Sequence, residues 1–154
     1  MSDGAVMKST PAICMLIVIT VLPLLSENGP GAIRMVFVID FDDFMCFSCL
    51  ESFLRFCQSL PADFRARRCI GVLTVPAGRK HAPALIQIMR KKLRGFIKGN
   101  NIDFPVVVDQ QSYFSELRRQ ESCVMVIQAD KLSLNVHSFP LSAQTAAEIR
   151  ALIQ

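Results

Sequence analysis

Apolar and polar positions along the chain predict alternating strands and helices from about residue 32 onward. The segment RMVFVIDF, Arg34 to Phe41, is almost continuously apolar and rich in β-branched and aromatic residues, which is typical of a central strand covered on both faces. After Phe47 the apolar positions recur at helical spacing, and Pro61 closes that segment. The segment CIGVLTV, Cys69 to Val75, predicts a second buried strand.

The middle of the chain predicts a long helix followed by a short strand. The helix covers APALIQIMRKKLRGFIKG, with Gly99 and Asn100 as its C-cap. The strand is FPVVVD, Phe104 to Asp109, and a brief helical piece is expected around Tyr113 to Leu117.

The C-terminal part predicts a hairpin and a final helix. The segment CVMVIQADKLSLNVHSF indicates two strands joined at Ala129 to Lys131, and the last helix starts at Ser142, just after Pro140. The order of elements predicts an α/β fold, a mixed sheet with helices on both faces. Its opening βαβ unit is expected to cross over right-handed.

Length and charge restrict the function classes. At 154 residues the chain is long enough for one sizeable core, and with 51% apolar residues general disorder is excluded. The net charge of +4 permits contact with an acidic surface without requiring it. The basic clusters at 65–68 and 90–98 are interpreted as solvated surface. They lack interleaved aromatic residues, so nucleic-acid binding is not expected.

The N-terminus predicts a targeting segment. Residues 12–25 form an apolar run of 14 residues, and a helix of that length rises only about 21 Å against roughly 30 Å of hydrocarbon. It fits the core of a cleaved signal peptide better than a retained membrane anchor or a buried segment. We therefore divide the chain into a leader or anchor with linker (1–30) and one domain (31–154). We expect an extracytoplasmic location, periplasmic or secreted, or anchored to the inner membrane.

Two of the six cysteines, Cys46 and Cys49, stand three apart where the first strand ends and the first helix begins. The first turn of a helix has unpaired N–H groups and the positive end of the macrodipole, which would stabilise a thiolate at Cys46. Cys49 lies one turn deeper, so it is suited to resolve a mixed disulfide. Asp40, six residues before Cys46, is a candidate acceptor of the Cys49 proton, the alternative being a strand-end residue turned to solvent. Asp42 and Asp43 disfavour a thiolate at Cys46, so the direction of its pKa shift is left open.

Three segments resemble the thioredoxin-like family, in particular its exported, often membrane-tethered TlpA-like and redoxin thiol–disulfide oxidoreductases. They are VFVIDFDDFMCFSC, IDFPVVVD and VMVIQADKLSL, and the resemblance runs from about Met35 to the C-terminus. It implies a thioredoxin-like fold, a redox-active disulfide of Cys46 and Cys49, Asp40 as the family's buried acid, and no bound cofactor. It also implies reduction of client protein disulfides, such as those of cytochrome maturation, with electrons from a membrane-bound donor.

The sequence departs from this family at three positions. Met45 replaces a tryptophan, and the dipeptide between the cysteines is Phe47–Ser48. The family's cis-proline position corresponds to about Ser122, where we expect a trans bond because a non-proline cis bond costs roughly 2.5–4 kcal/mol. The resemblance thus gives Phe47, Ser48, Ser122 and Cys123 as substrate-binding positions. Cys123 is either a third redox thiol or, as we favour, a buried strand thiol.

Other functions remain open at this stage. A zinc or iron–sulfur site would need two ligands besides Cys46 and Cys49. The remaining cysteines and histidines of the domain that could serve are Cys57, Cys69, Cys123, His81 and His137, and no two of them have the spacing of a ligand pair. Cys57 lies on an apolar helix face and is interpreted as a core thiol. A thiol peroxidase would need proline and threonine or serine before the attacking cysteine, and DFDDFMC has neither. A redox-inactive protein-interaction module is the third alternative.

Overall fold

The computed structural model describes residues 33–40, 43, 47–75, 83–110, 121–128, 131 and 133–153. Within these ranges, only the backbone of Phe47, Ser48 and Cys49 is described. The strands are β1 (Ile33–Asp40), β2 (Cys69–Thr74), β3 (Val106–Asp109), β4 (Cys123–Gln128) and β5 (Ser133–Ser138). The helices are α1 (Phe47–Ser59), α2 (Ala62–Arg68), α3 (Pro83–Gly99) and α4 (Ala143–Ala151). Among these residues no helix is long and apolar enough to cross a membrane. The predicted leader at 1–30 and the helical piece at 113–117 lie outside the described residues.

The five strands form one mixed sheet in the order β3-β2-β1-β4-β5. Strands β1, β2 and β3 are parallel, β4 is antiparallel to β1, and β5 is antiparallel to β4. The predicted α/β fold with a mixed sheet is confirmed. Because the three parallel strands end at the same edge, their last residues Asp40, Thr74 and Asp109 lie opposite one another.

One face of the sheet carries the larger core. Phe37 of β1 contacts Phe53 edge to face at 5.4 Å between ring centroids and stacks on Phe104 at 5.3 Å. All four described helices contribute side chains to this cluster, α2 through Phe64 and α4 through Ile149. These contacts fix α1 above the strand that leads to it.

The opposite face carries a second, smaller cluster that is built from strand residues, among them Val36, Val38 and Cys123. No helical residue of the described ranges belongs to it. Within the described part of the chain, helices therefore pack on one face of the sheet. The predicted packing of helices on both faces is confirmed for that face.

Candidate redox site

The candidate site lies at the carboxyl edge of the parallel strands, where β1 ends at Asp40 and α1 begins at Phe47. The predicted junction of a buried strand and a helix is therefore present. Cys49 falls in the first turn of α1, which contains no acidic residue. Cys46 lies outside the described residues, and the side chains of Phe47, Ser48 and Cys49 are likewise not described. The roles predicted for these four residues stay predictions.

Asp40, the predicted proton acceptor, is half-buried and bonded to β2. The hydroxyl of Thr74, which is fully buried, lies 3.1 Å from Asp40 Oδ2 and 3.3 Å from the Ile39 carbonyl oxygen. A hydroxyl has a single proton, so it donates to one of these acceptors at a time. This contact holds the Asp40 carboxyl group at the sheet edge rather than leaving it turned freely to solvent.

Ser122 connects this edge to β4. Its side-chain oxygen accepts a hydrogen bond from the Asp40 amide at 2.9 Å, and its own amide donates to Asp43 Oδ2 at 2.7 Å. Its carbonyl accepts from the Phe139 amide at 2.9 Å. Ser122 is only 3% exposed, so these bonds satisfy polar groups that water does not reach easily. Ser122 therefore lies beside Asp40.

The peptide bond before Ser122 is trans, as expected, since the one cis bond among the described residues is Phe139–Pro140. This cis-proline follows β5 instead of preceding β4. Phe139 packs edge to face on Phe53 of α1 at 5.8 Å between ring centroids. The Leu141 amide donates to Ser52 Oγ at 3.1 Å. The segment after β5 thus contacts both Ser122 and the helix that carries Cys49.

Cys123 begins β4 opposite Val38 and is 3% exposed. Its side chain belongs to the smaller cluster, whereas α1 packs on the opposite face. The sheet therefore separates Cys123 from α1. This position favours the buried strand thiol over a third redox thiol.

The thiols of Cys57 and Cys69 form no disulfide and lie in the larger core. Burial raises the pKa of Cys57 far above its ordinary value, and the neighbouring Cys69 raises it further. Burial also raises the pKa of Cys69 to about 12. Both thiols are therefore protonated and unreactive at neutral pH, which confirms Cys57 as a core thiol.

No group of three or more potential metal ligands occurs in the ranges that the structure describes.

Sequence reasoning did not identify Thr74 or Asp109 as part of this edge. Asp109 is 7% exposed and lies opposite Thr74, which itself contacts Asp40. The available signal was the repeated pattern of an apolar strand that ends in a polar residue, seen in VIDF, VLTV and VVVD. Carboxyl ends of parallel strands share one edge, so three such endings indicate one polar row.

Two solved structures are similar to this chain. A crystal structure of a thioredoxin-like superfamily protein matches with 18% sequence identity over 83% of this chain and 88% of that one, at a TM-score of 0.52. StoA from Bacillus subtilis matches with 14% identity over 82% of this chain and 86% of that one, at a TM-score of 0.47. No protein-family profile and no curated protein sequence matches the chain. The first structural match and the sheet order confirm the predicted thioredoxin-like fold.

Proposed function

We propose that this protein is a thiol–disulfide oxidoreductase that reduces disulfides of client proteins through Cys46 and Cys49. The observation that carries the proposal is the strand-to-helix junction. Asp40 is fixed at the end of β1 by Thr74 and Ser122, and α1 begins at Phe47, immediately after the first cysteine. Unpaired amides at the start of a helix stabilise a thiolate there.

The reaction proceeds in two exchanges that conserve atoms and electrons. The Cys46 thiolate attacks one sulfur of the client disulfide, so a mixed disulfide forms and one client thiolate leaves and takes up a proton. Cys49 then loses its proton to Asp40, directly or through a water molecule, and attacks the Cys46 sulfur. The second client sulfur leaves as a thiolate and takes up a proton, and the two cysteines are left oxidised as the Cys46–Cys49 disulfide.

A new cycle requires two electrons and two protons from a dithiol donor. We propose a membrane-bound donor and an extracytoplasmic location, with residues 12–25 as a cleaved signal or as a tether. The chemistry needs no bound cofactor, because the disulfide itself carries the electrons. The substrate contacts are proposed at Phe47 and Ser48, which lie between the two cysteines in sequence, and at Ser122, which lies beside Asp40.

Reduction of a disulfide-containing test protein, with dithiothreitol as the electron source, tests this function. Wild-type protein is expected to accelerate the reduction, and Cys46→Ser to abolish the acceleration. The Cys49→Ser variant, reduced beforehand and separated from dithiothreitol, is expected to accumulate a mixed disulfide that gels resolve. Cys123→Ser is the matched control and is expected to retain most of the activity, because Cys123 lies on the other face of the sheet. Equal activity of wild type and Cys46→Ser would contradict the proposal.

A further inference from the structure

A groove of about 440 Å³ lies between α3 and the edge strand β3. Leu93, Ile97 and the valines of β3 give it an apolar floor, and Arg90 and Arg94 line it from α3. Val107 also borders the groove, but its side chain alternates with those of Val106 and Val108 and is 48% exposed on the other face of the sheet. An open groove that combines apolar side chains and two guanidinium groups is suited to an amphipathic, negatively charged ligand.

The backbone of β3 directs hydrogen-bonding groups to its outer side, where the Val108 carbonyl already accepts a bond from the Gln110 amide at 3.0 Å. The Gly71 amide donates to the Pro105 carbonyl at 2.8 Å, so Pro105 and Val107 direct their backbone groups toward β2. Because these groups alternate along a strand, the amides of Val106 and Val108 point away from the sheet. No strand of the described ranges pairs with this side. An open edge of this kind accepts an additional strand.

Two of the positive charges of α3, Arg90 and Arg94, line this groove. Arg90, Arg94 and Lys98 recur every four residues, which places them about 6 Å apart along the helix axis. The ion pairs of the described chain are Arg55–Glu51 and Arg65–Asp103, so none of these three cations has a described carboxylate partner. Alternate side chains of an extended strand repeat at roughly 6.5–7 Å, which is close to this spacing.

We propose that this groove binds an extended, acidic segment of a partner protein as a sixth strand beside β3. Side chains of an added strand alternate between the two faces of the sheet. Carboxylates at every second position would then lie toward Arg90 and Arg94, on the face that α3 covers. Apolar residues at the other positions would contact Val107, which belongs to the opposite face. The groove contains no residue of the cysteine motif, so this proposal does not rest on the proposed redox function.

Fluorescence anisotropy with the full chain and a labelled peptide of alternating valine and glutamate tests the docking. Saturable binding that weakens with added salt is expected, because the contacts with the arginines are solvent-exposed ion pairs. The same peptide with lysine in place of glutamate should not bind. Absence of binding by the acidic peptide at low salt would overturn the proposal.

Two double variants with equal charge changes distinguish binding in the groove from non-specific electrostatic attraction to the helix. Arg90→Glu with Arg94→Glu is expected to weaken binding roughly tenfold or more, because two attractive contacts become repulsive. Lys91→Glu with Lys92→Glu lies on the same helix outside the groove lining and is expected to change affinity less than about twofold. Equal losses in both double variants would show non-specific attraction and overturn the proposal.

Amide hydrogen exchange tests the strand addition itself. The bound peptide is expected to slow exchange of the Val106 and Val108 amides, which point away from β2. The amide of Val107, already directed toward β2, serves as the internal reference. Unchanged exchange at Val106 and Val108 at saturating peptide would overturn the sixth-strand arrangement.

Discussion

The backbone amide of Asp40 donates a 2.9 Å hydrogen bond to the side-chain oxygen of Ser122, which lies 82 residues further along the chain. This bond joins the end of β1 to the residue that precedes β4. Ser122 also donates its own amide to Asp43, so one buried serine holds both the strand end and the segment that leads toward α1. Ser122 corresponds to a proline that faces the substrate in the thioredoxin-like family. In this protein it forms hydrogen bonds that connect parts of the chain.

Replacing Ser122 by alanine is expected to lower the free energy of unfolding by about 1–3 kcal/mol, because the Asp40 amide loses its acceptor in a partly buried site. Ser122→Thr keeps the hydroxyl and is expected to lose less. Urea unfolding of the three proteins measures the difference. An alanine variant as stable as wild type would mean that the bond contributes nothing.

Thr74→Val is expected to slow the second step of the proposed reaction, in which Cys49 attacks the mixed disulfide at Cys46. Valine preserves the shape of this fully buried residue but removes the donor that holds Asp40 Oδ2. The carboxyl group would then be less well positioned to accept the Cys49 proton, and the mixed disulfide would persist longer. Stopped-flow mixing followed by acid quench measures its lifetime, with Thr74→Ser as the control that retains the hydroxyl. Identical lifetimes in the valine and serine variants would show that this bond does not position Asp40.

Gly71→Ala is expected to destabilise the pairing of β2 with β3. A Cβ atom at residue 71 would lie 2.9 Å from both Cγ atoms of Val106, closer than such atoms approach in folded proteins. We expect a loss of about 1–3 kcal/mol, as for other overpacked sites. Thermal unfolding measures it. The double variant with Val106→Ala should lose less than the sum of the single variants, and strict additivity would contradict the steric explanation.

The Arg65–Asp103 ion pair predicts a small acid-dependent loss of stability. Two hydrogen bonds of 2.8 Å join the groups, and the bond from Arg65 lowers the pKa of Asp103 below its ordinary value of 3.8. The stabilisation is therefore complete above that ordinary value and is lost as the pH falls through the lower folded-state value. Because the pair is partly exposed, we expect at most about 1 kcal/mol.

Urea unfolding between about pH 2 and pH 6 of wild type and Asp103→Asn measures this contribution. The difference between the two proteins should shrink as the pH falls. Asp63→Asn is the matched control, since Asp63 is exposed and has no described ion pair. A difference between wild type and Asp103→Asn that does not depend on pH would contradict the assignment.

The buried strands could be predicted from the sequence because their apolar runs leave little ambiguity. The run at Arg34 to Phe41 became β1 (Ile33–Asp40), and Cys69 to Val75 became β2 (Cys69–Thr74). The last helix begins as predicted, with Ser142 accepting a hydrogen bond from the Thr145 amide at 3.0 Å. Such caps are local, so a few residues of sequence are enough to identify them.

Helix α2 was missed because none of its seven residues is buried, so no apolar period marks it. Pro61 follows the end of α1 at Ser59, as predicted, and is in addition the N-cap of α2. At the end of α3 Asn100 caps the helix as predicted, because its amide and its side-chain nitrogen donate to the Phe96 carbonyl at 3.1 and 2.9 Å. The left-handed conformation of the next residue, Asn101, with φ of 52°, was not predicted. These features depend on where the chain turns rather than on what it buries.

The polar contacts of the site could not be predicted, because they join residues far apart in sequence. The bonds from Thr74 to Asp40 and from Asp40 to Ser122 depend on strand register across β2, β1 and β4. The sequence indicated that Asp40 and Ser122 belong to the same region only through the family resemblance. Strand order and register, which bring these groups together, are properties of the whole sheet.

A redox titration in glutathione buffers, quenched by alkylation and read by peptide mass spectrometry, tests the central claim most directly. The account predicts one two-electron transition in which Cys46 and Cys49 become oxidised together at the same potential, while Cys57, Cys69 and Cys123 stay reduced throughout. Independent titration of Cys46 and Cys49, or a disulfide formed by either with another cysteine of the chain, would contradict it.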